Sequence, residues 1–277
     1  QAEDEIAVIN MAIGASFAGA RSMVGTSGGG FSLMTEAIGL AGQTETPLVI
    51  INSMRGGPST GLPTKTEQAD LFQAIGASQG DFPKVVIAPS TVEDCYYSTI
   101  EAFNLADKYQ LPVILLSDLF LSEHMESVDQ FNFDAIVDRG EIVNHKPSDD
   151  TYRRYKFTST GVSPRAFPGT SGTIFQATSD EHDDFGNIIS DVFTDPEMRT
   201  KIMDKRMKKM AFIKKDLPIP KLYGPDNAKL TLVSWGSTFN IIRESMPLLS
   251  QENLSINHLH IKYLAPFQSS IQKILEL

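Results

Sequence analysis

Lys84–Asp118 reads KVVIAPSTVEDCYYSTIEAFNLADKYQLPVILLSD, and its pattern decides the fold. An apolar run, KVVIAP (Lys84–Pro89), leads into one long stretch that reads as helix. A second apolar run, PVILLSD (Pro112–Asp118), closes it. Thr91 stands where a helix N-cap is expected, with Asp94 three residues on. Strands that are apolar along their whole length have no solvated face. They belong to a parallel sheet covered on both sides, with the helix as the crossover.

The same grammar continues towards the amino end. PLVII (Pro47–Ile51) is a third buried strand. TSGGGF (Thr26–Phe31) reads as a glycine-rich turn before a helix over Phe31–Ala41, closed by Gly42. Ile6, Ile9, Ile13 and Phe17 recur at spacings of three and four, which predicts a buried helix over Asp4–Ala20. Thr66–Ala77 reads as a further helix. The expected fold is α/β, with a doubly wound, mostly parallel sheet. Ligands of such sheets gather beyond the carboxyl ends of the strands.

From about Phe120 to Gly172 the alternation breaks up. Asp195-Pro196 then starts a basic helix, with Met198, Ile202 and Met210 as its apolar positions. DLPIPKLYGPDNAK is a proline-rich linker, and LTLVSWGSTFNIIRESMPLL opens a second strand–glycine–helix unit. The expected organisation is a first domain over 1–215 with a long excursion at 120–195, a linker at 216–227, and an incomplete second α/β domain at 228–277. Both ends read as cut, so the chain is expected to be part of something longer.

Bulk composition narrows the function. The 277 residues are 41% hydrophobic, and the net charge of −10 argues against nucleic-acid or anionic-membrane partners. No apolar run approaches the roughly 20 residues of a membrane helix. The single cysteine, Cys95, excludes an internal disulfide and suits a reducing cytoplasm. One thiol is also too few for an iron–sulfur cluster.

Several constellations could carry chemistry. Glu3-Asp4-Glu5 suits a helix start, where acids meet the positive end of the dipole. Glu5, leading into the apolar face, is also placed to be desolvated and to share a proton. The glycines of TSGGGF permit an anion or a close backbone approach, but no P-loop lysine follows them. RGGPSTGLPTKTEQADL (Arg55–Leu71) lies just past a strand's carboxyl end. It offers Arg55, whose planar fork fits a carboxylate, and the hydroxyls of Thr60, Thr64 and Thr66. Glu181-His182-Asp183-Asp184 reads as a solvated loop rather than a metal site. His258 and His260 share a strand face but show no third ligand. Cys95 reads as a small core residue, and no Ser–His–Asp order, HExxH or CxxC is present.

Taken together, EDEIAVINMAIGASFAGARSM, TSGGGFSLMTEAIGLAGQTETPLVI, RGGPSTGLPTKTEQADL and VSWGSTFNIIRE resemble the alpha subunit of 2-oxoacid:ferredoxin oxidoreductases. The resemblance covers nearly the whole chain and is closest to the 2-oxoglutarate or broad-specificity class, including forms with gamma and alpha fused. RGGPSTGLPT is its most specific part. The family's turn usually holds a proline where this chain has Gly28-Gly29-Gly30, a change of rigidity rather than chemistry. The family's YPITP motif is not present and belongs upstream of Gln1.

The resemblance implies a thiamine diphosphate enzyme and a hetero-oligomer. This subunit would supply the pyrimidine-binding domain, followed by the start of a transketolase C-terminal-like domain. A beta subunit would hold the diphosphate, Mg2+ and a 4Fe–4S cluster. It implies coenzyme A-dependent oxidative decarboxylation of a 2-oxoacid, 2-oxoglutarate or pyruvate, with electrons passed to ferredoxin. Glu5 matches the glutamate that hydrogen-bonds the pyrimidine ring and promotes loss of the thiazolium C2 proton. Arg55 matches the clamp on the substrate carboxylate, with Thr64 and Lys65 beside it. Thr26, Ser27, Gly28, Gly29 and Phe31 are placed at the cofactor. A transketolase-like or dehydrogenase-type thiamine enzyme, or a non-catalytic scaffold, is the alternative.

Overall fold

The computed structural model describes residues 2–145, 152–190 and 193–276. In chain order the elements are α1 (Glu5–Phe17), β1 (Met23–Thr26), α2 (Gly28–Gln43), β2 (Leu48–Met54), α3 (Leu71–Gly76), β3 (Val85–Ile87), α4 (Val92–Tyr109), β4 (Pro112–Asp118) and α5 (Leu119–Glu123). After the excursion come α6 (Pro196–Asp216), β5 (Lys221–Tyr223), β6 (Leu230–Ser234), α7 (Thr238–Gln251), β7 (Ile256–His260), β8 (Tyr263–Ala265) and α8 (Ser270–Leu275).

The main sheet runs β1-β2-β4-β3-β8, parallel except for β8, which pairs antiparallel with β3. This is the doubly wound α/β fold that the apolar runs predict. Alternate residues of β2 and β4 feed two separate cores. Ile50, Ile114 and Leu116 pack with Ile9 and Ile13 of α1 and with Phe31, Met34 and Ile38 of α2. Val49, Val113 and Leu115 pack with Ala102, Leu105 and Tyr109 of α4 and Ile213 of α6. A second sheet, β5-β7-β6, carries α7. Ser234 Oγ in β6 lies 2.7 Å from His258 Nε2 and 3.4 Å from His260 Nδ1. Burial lowers the His260 pKa to about 4, so the pair is neutral near pH 7.

Several local expectations need correction. In α1 only Ile9, Ala12, Ile13 and Ser16 are buried, while Ile6 is 51% and Phe17 38% exposed, because one stripe of this helix faces the sheet. The helix foreseen over Thr66–Ala77 shrinks to α3, since Thr66–Asp70 is drawn into side-chain contacts elsewhere. β1 is an additional strand, four residues long with a glycine inside it. On α6 the buried positions are Ile202, Lys205, Arg206, Lys209 and Ile213, so three of five are cations.

Those cations explain how an irregular excursion stays attached. Among the described residues, no helix or strand lies between α5 and α6. Fully buried Glu45 pairs with Lys205 Nζ at 2.6 Å and Lys209 Nζ at 2.5 Å, and Arg154 donates to its backbone carbonyl at 2.7 Å. Burial alone would raise the Glu45 carboxyl; the two ammonium groups override it and hold it far below the usual carboxylate range. A second node, buried Asp107, gathers Arg21, Arg139 and Arg165 within 3.1 Å. Glu181 accepts from Arg206 at 2.6 Å, His182 is fully buried, and Asp184 accepts from Arg153 at 2.6 Å. The segment expected as a solvated loop is therefore an internal anchor.

Glu45→Ala leaves two ammonium groups buried without their counterion. It should cost about 3–5 kcal/mol of stability, read from denaturant unfolding midpoints. A loss within measurement error would show that the node contributes nothing to the fold.

Candidate active site at the carboxyl edge of the sheet

β1, β2 and β4 end at one edge, and the chain segments that leave it build the candidate site. Register places Thr26 beside Asn52, and Met54 beside Asp118. Arg55 therefore begins its loop directly above the strand ends.

The acidic start of α1 divides its labour. Asp4 is the N-cap, its carboxylate accepting the Ala7 N–H at 2.8 Å. Glu5 is half-buried and turns towards α2 instead. A Cβ built on Gly30 would lie 2.5 Å from Glu5 Oε1 and would also strike Thr26 Oγ1. The carboxyl and hydroxyl thus occupy the space that any side chain at position 30 would need. This cradle brings Glu5, Thr26 and Gly30 together from three segments.

Gly28, Gly29 and Gly30 do not form a turn: they are the first turn of α2. Ser27 is the N-cap residue, yet its hydroxyl makes no capping bond and is buried without a partner. The Gly30 N–H donates to Ser27 O at 2.8 Å, while the N–H groups of Gly28 and Gly29 have no intrahelical acceptor, so this end of α2 presents unpaired donors. Nothing lies within 4 Å of a Cβ built on Gly29. Phe31 is 0% exposed and packs in the core, so it offers no surface to a ligand and instead seats the start of the helix.

The loop after β2 closes on itself through the backbone. Leu62 N–H donates to Gly56 O at 2.8 Å and Gly56 N–H donates to Lys65 O at 3.0 Å. Arg55, at its base, is half-buried, and its Nε is buried without a hydrogen-bond partner. No ion pair to Arg55 is present among the described residues. Thr64 and Lys65 are exposed on the same loop, with no side-chain bond among the described residues. Thr66 Oγ1 instead accepts the Phe120 N–H at 3.2 Å, a structural contact.

Sequence reasoning overlooks Asn52. It is fully buried, donates to Asp70 Oδ2 at 3.0 Å and leaves its own Oδ1 unpartnered. An asparagine directly after the apolar run Pro47–Ile51, inside β2, is the available signal. Asp70 in turn lies 3.7 Å from a Cβ built on Gly28. Buried polar atoms are normally paired, so the unpartnered Ser27, Asn52 and Arg55 atoms mark this edge as a place for a polar ligand. Among the described residues no cluster of three or more His, Cys, Asp or Glu could hold a metal ion. Among the described residues no helix is long and apolar enough to cross a membrane. Cys95 is half-buried, and burial raises its thiol to about 11, unsuited to nucleophilic work near pH 7.

The family model for pyruvate flavodoxin/ferredoxin oxidoreductase, thiamine diphosphate-binding, matches residues 1–201. The chain is 41% identical over 283 residues to 2-oxoacid:ferredoxin oxidoreductase 1, subunit alpha, of Sulfurisphaera tokodaii, covering 100% of this chain and 43% of that protein. It is 38% identical over 273 residues to 2-oxoglutarate synthase subunit KorA of Archaeoglobus fulgidus, covering 96% of this chain and 68% of that protein. A solved 2-oxoglutarate:ferredoxin oxidoreductase from Magnetococcus marinus, with 2-oxoglutarate, coenzyme A and succinyl-CoA bound, matches with TM-score 0.92 and 37% identity. That match covers 99% of this chain and 47% of the other. The chain thus spans less than half the length of the first of these relatives.

Gly30→Ala gains about 1 kcal/mol of helix propensity, but its methyl overlaps Thr26 Oγ1 and the Glu5 carboxyl, an overpacking that costs about 1–3 kcal/mol, so the Tm should hold level or fall. A crystal structure of the variant should show the Glu5 carboxyl displaced by about an ångström, since interiors tolerate no overlap. An unmoved Glu5 would remove the cradle from the account.

Proposed function

The chain belongs to the pyruvate flavodoxin/ferredoxin oxidoreductase thiamine diphosphate-binding family, and from that premise we propose that it is the alpha-subunit part of a 2-oxoacid:ferredoxin oxidoreductase. The reaction is coenzyme A-dependent oxidative decarboxylation of 2-oxoglutarate or pyruvate to acyl-CoA and carbon dioxide, with ferredoxin reduced. Residues 1–215 form the pyrimidine-binding unit, 216–227 the linker and 228–277 the beginning of a transketolase C-terminal-like unit. A beta subunit holds the diphosphate, Mg2+ and a 4Fe–4S cluster, and the assembly is cytoplasmic.

One observation carries the reading: a half-buried carboxyl held against a glycine of α2 at the carboxyl edge of a parallel sheet. The residues fit an aminopyrimidine ring. Glu5 offers a carboxylate that shares a proton with a ring nitrogen, and the open face at Gly29 admits a flat group. Thiamine diphosphate supplies, when bound, the carbon nucleophile and electron sink that decarboxylation requires. Thr26 Oγ1 shares with the Glu5 carboxyl the space beside Gly30. Ser27, Gly28 and Gly29 contribute unpaired donors, and Phe31 anchors the helix that carries them. Arg55 uses its fork to hold the substrate carboxylate, and its unpartnered Nε accounts for one donor. Thr64 and Lys65 close on the same acid from the loop's exposed side.

The direct test is an absorption spectrum of the assembled enzyme with coenzyme A, to which 2-oxoglutarate and then pyruvate are added. Bleaching of an iron–sulfur band identifies both reaction and preferred acid; an unchanged band with either acid contradicts the assignment. In that enzyme Glu5→Gln should nearly abolish turnover while assembly on gel filtration stays intact. Arg55→Ala removes one partner of a closed charge pair, so kcat/KM for the 2-oxoacid should fall about 100-fold or more. The KM for coenzyme A should be unchanged.

A further inference from the structure

One buried carboxylate ties together three parts of the chain that the proposed chemistry leaves unconnected. Asp118, the last residue of β4, is 1% exposed. Its Oδ1 accepts the Leu121 N–H at 3.0 Å and so starts α5. Its Oδ2 accepts the Ser237 hydroxyl at 2.5 Å and the Gln68 side-chain amide at 3.4 Å. The same amide nitrogen donates to the Trp235 carbonyl at 3.1 Å. Gln68 belongs to the loop that begins at Arg55; Trp235 and Ser237 follow β6 of the second sheet.

The space around this node is closed. Gly236 has φ +65°, and a Cβ there would come within 2.9 Å of Gln68 Nε2. No ion pair to Asp118 is present among the described residues. Its carboxyl oxygens are therefore met by neutral donors alone. A few residues away, the Phe120 N–H donates to Thr66 Oγ1 at 3.2 Å. The near end of the loop is fixed by β2, whose Met54 pairs in register with Asp118 itself. Both ends of the loop are thus referred to one point at the end of β4.

We propose that Asp118, with Gln68 and Ser237, is a positioning node that sets where the Arg55–Thr66 loop stands over the site. Through it, the seat of the second sheet determines how firmly a 2-oxoacid is held. This rests on the functional reading above, since it takes the loop to be the substrate clamp. None of the three side chains touches substrate; each acts through the loop.

The test uses the assembled enzyme with its complete alpha subunit and its partner. Gln68→Ala and Ser237→Ala should each raise KM for 2-oxoglutarate about 10-fold, the loss of one charge-assisted bond. The KM for coenzyme A should not change, and Ser237→Thr, which keeps the hydroxyl, should restore the wild-type value. Equal rises in both KM values, or Ser237→Thr behaving like Ser237→Ala, would overturn the node. Hydrogen–deuterium exchange supplies a readout independent of activity. In Gln68→Ala, amides of 55–66 should exchange faster while those of α2 and α4 keep wild-type protection. Unchanged exchange in 55–66 would refute the node even in an active enzyme. Wild-type enzyme inert towards every 2-oxoacid would instead overturn the functional reading and leave the exchange result to judge the node.

Discussion

A carboxyl group rests where a side chain at position 30 would otherwise be, and the candidate site is arranged around that exclusion. Glu5 reaches α2 only because Gly30 has no Cβ, and Thr26 shares the same vacancy. Three segments meet there because Asp4 starts α1, β1 ends at Thr26, and Ser27 starts α2 immediately afterwards. A half-buried acid in such a place has its direction set by packing rather than by solvent. That is the condition a proton-sharing group must satisfy, since catalytic geometry comes before catalytic acidity.

The two edges of the sheet are built differently. At the amino edge, buried ion pairs around Glu45 and Asp107 anchor the irregular excursion and α6. Every principal charge there has a partner. At the carboxyl edge, polar atoms of Ser27, Asn52 and Arg55 are left unsatisfied. Arg21, Arg165 and Arg206 at the amino edge also leave their Nε atoms without a hydrogen-bond partner, but each of them has a carboxylate in an ion pair, whereas Arg55 has none among the described residues. That difference in ion pairing separates the part that stabilises the chain from the part that can accept a ligand. The loop after β2 spans this contrast: its backbone is closed by its own hydrogen bonds, yet its arginine has a free donor.

Much of this was legible in the residues. The apolar runs at Leu48, Val85 and Pro112 gave the strands, because a strand buried on both faces leaves no polar alternative. Thr91 and Asp195-Pro196 marked helix starts through side-chain chemistry local to the sequence, and both cap as expected. The α1 periodicity was misleading at Ile6 and Phe17, since spacing alone does not reveal how wide a stripe the sheet covers. Gly28–Gly30 read as a turn because glycine is a poor helix former; tertiary contact with Glu5 outweighs that propensity here. The buried lysines of α6 could not be foreseen, because their partner Glu45 lies 160 residues away from Lys205 in the chain. Asn52 and Asp118 were hidden for the same reason: each gains its meaning from loops that meet only in the folded chain.

The central claim is that Glu5 is aimed at a bound cofactor ring. A structure of the assembled enzyme with thiamine diphosphate measures this most directly. The account predicts a Glu5 carboxylate oxygen about 2.5–2.9 Å from a nitrogen of the aminopyrimidine ring, still packed against Gly30. A ring bound elsewhere, or a Glu5 carboxylate turned into solvent with the cofactor in place, would contradict it.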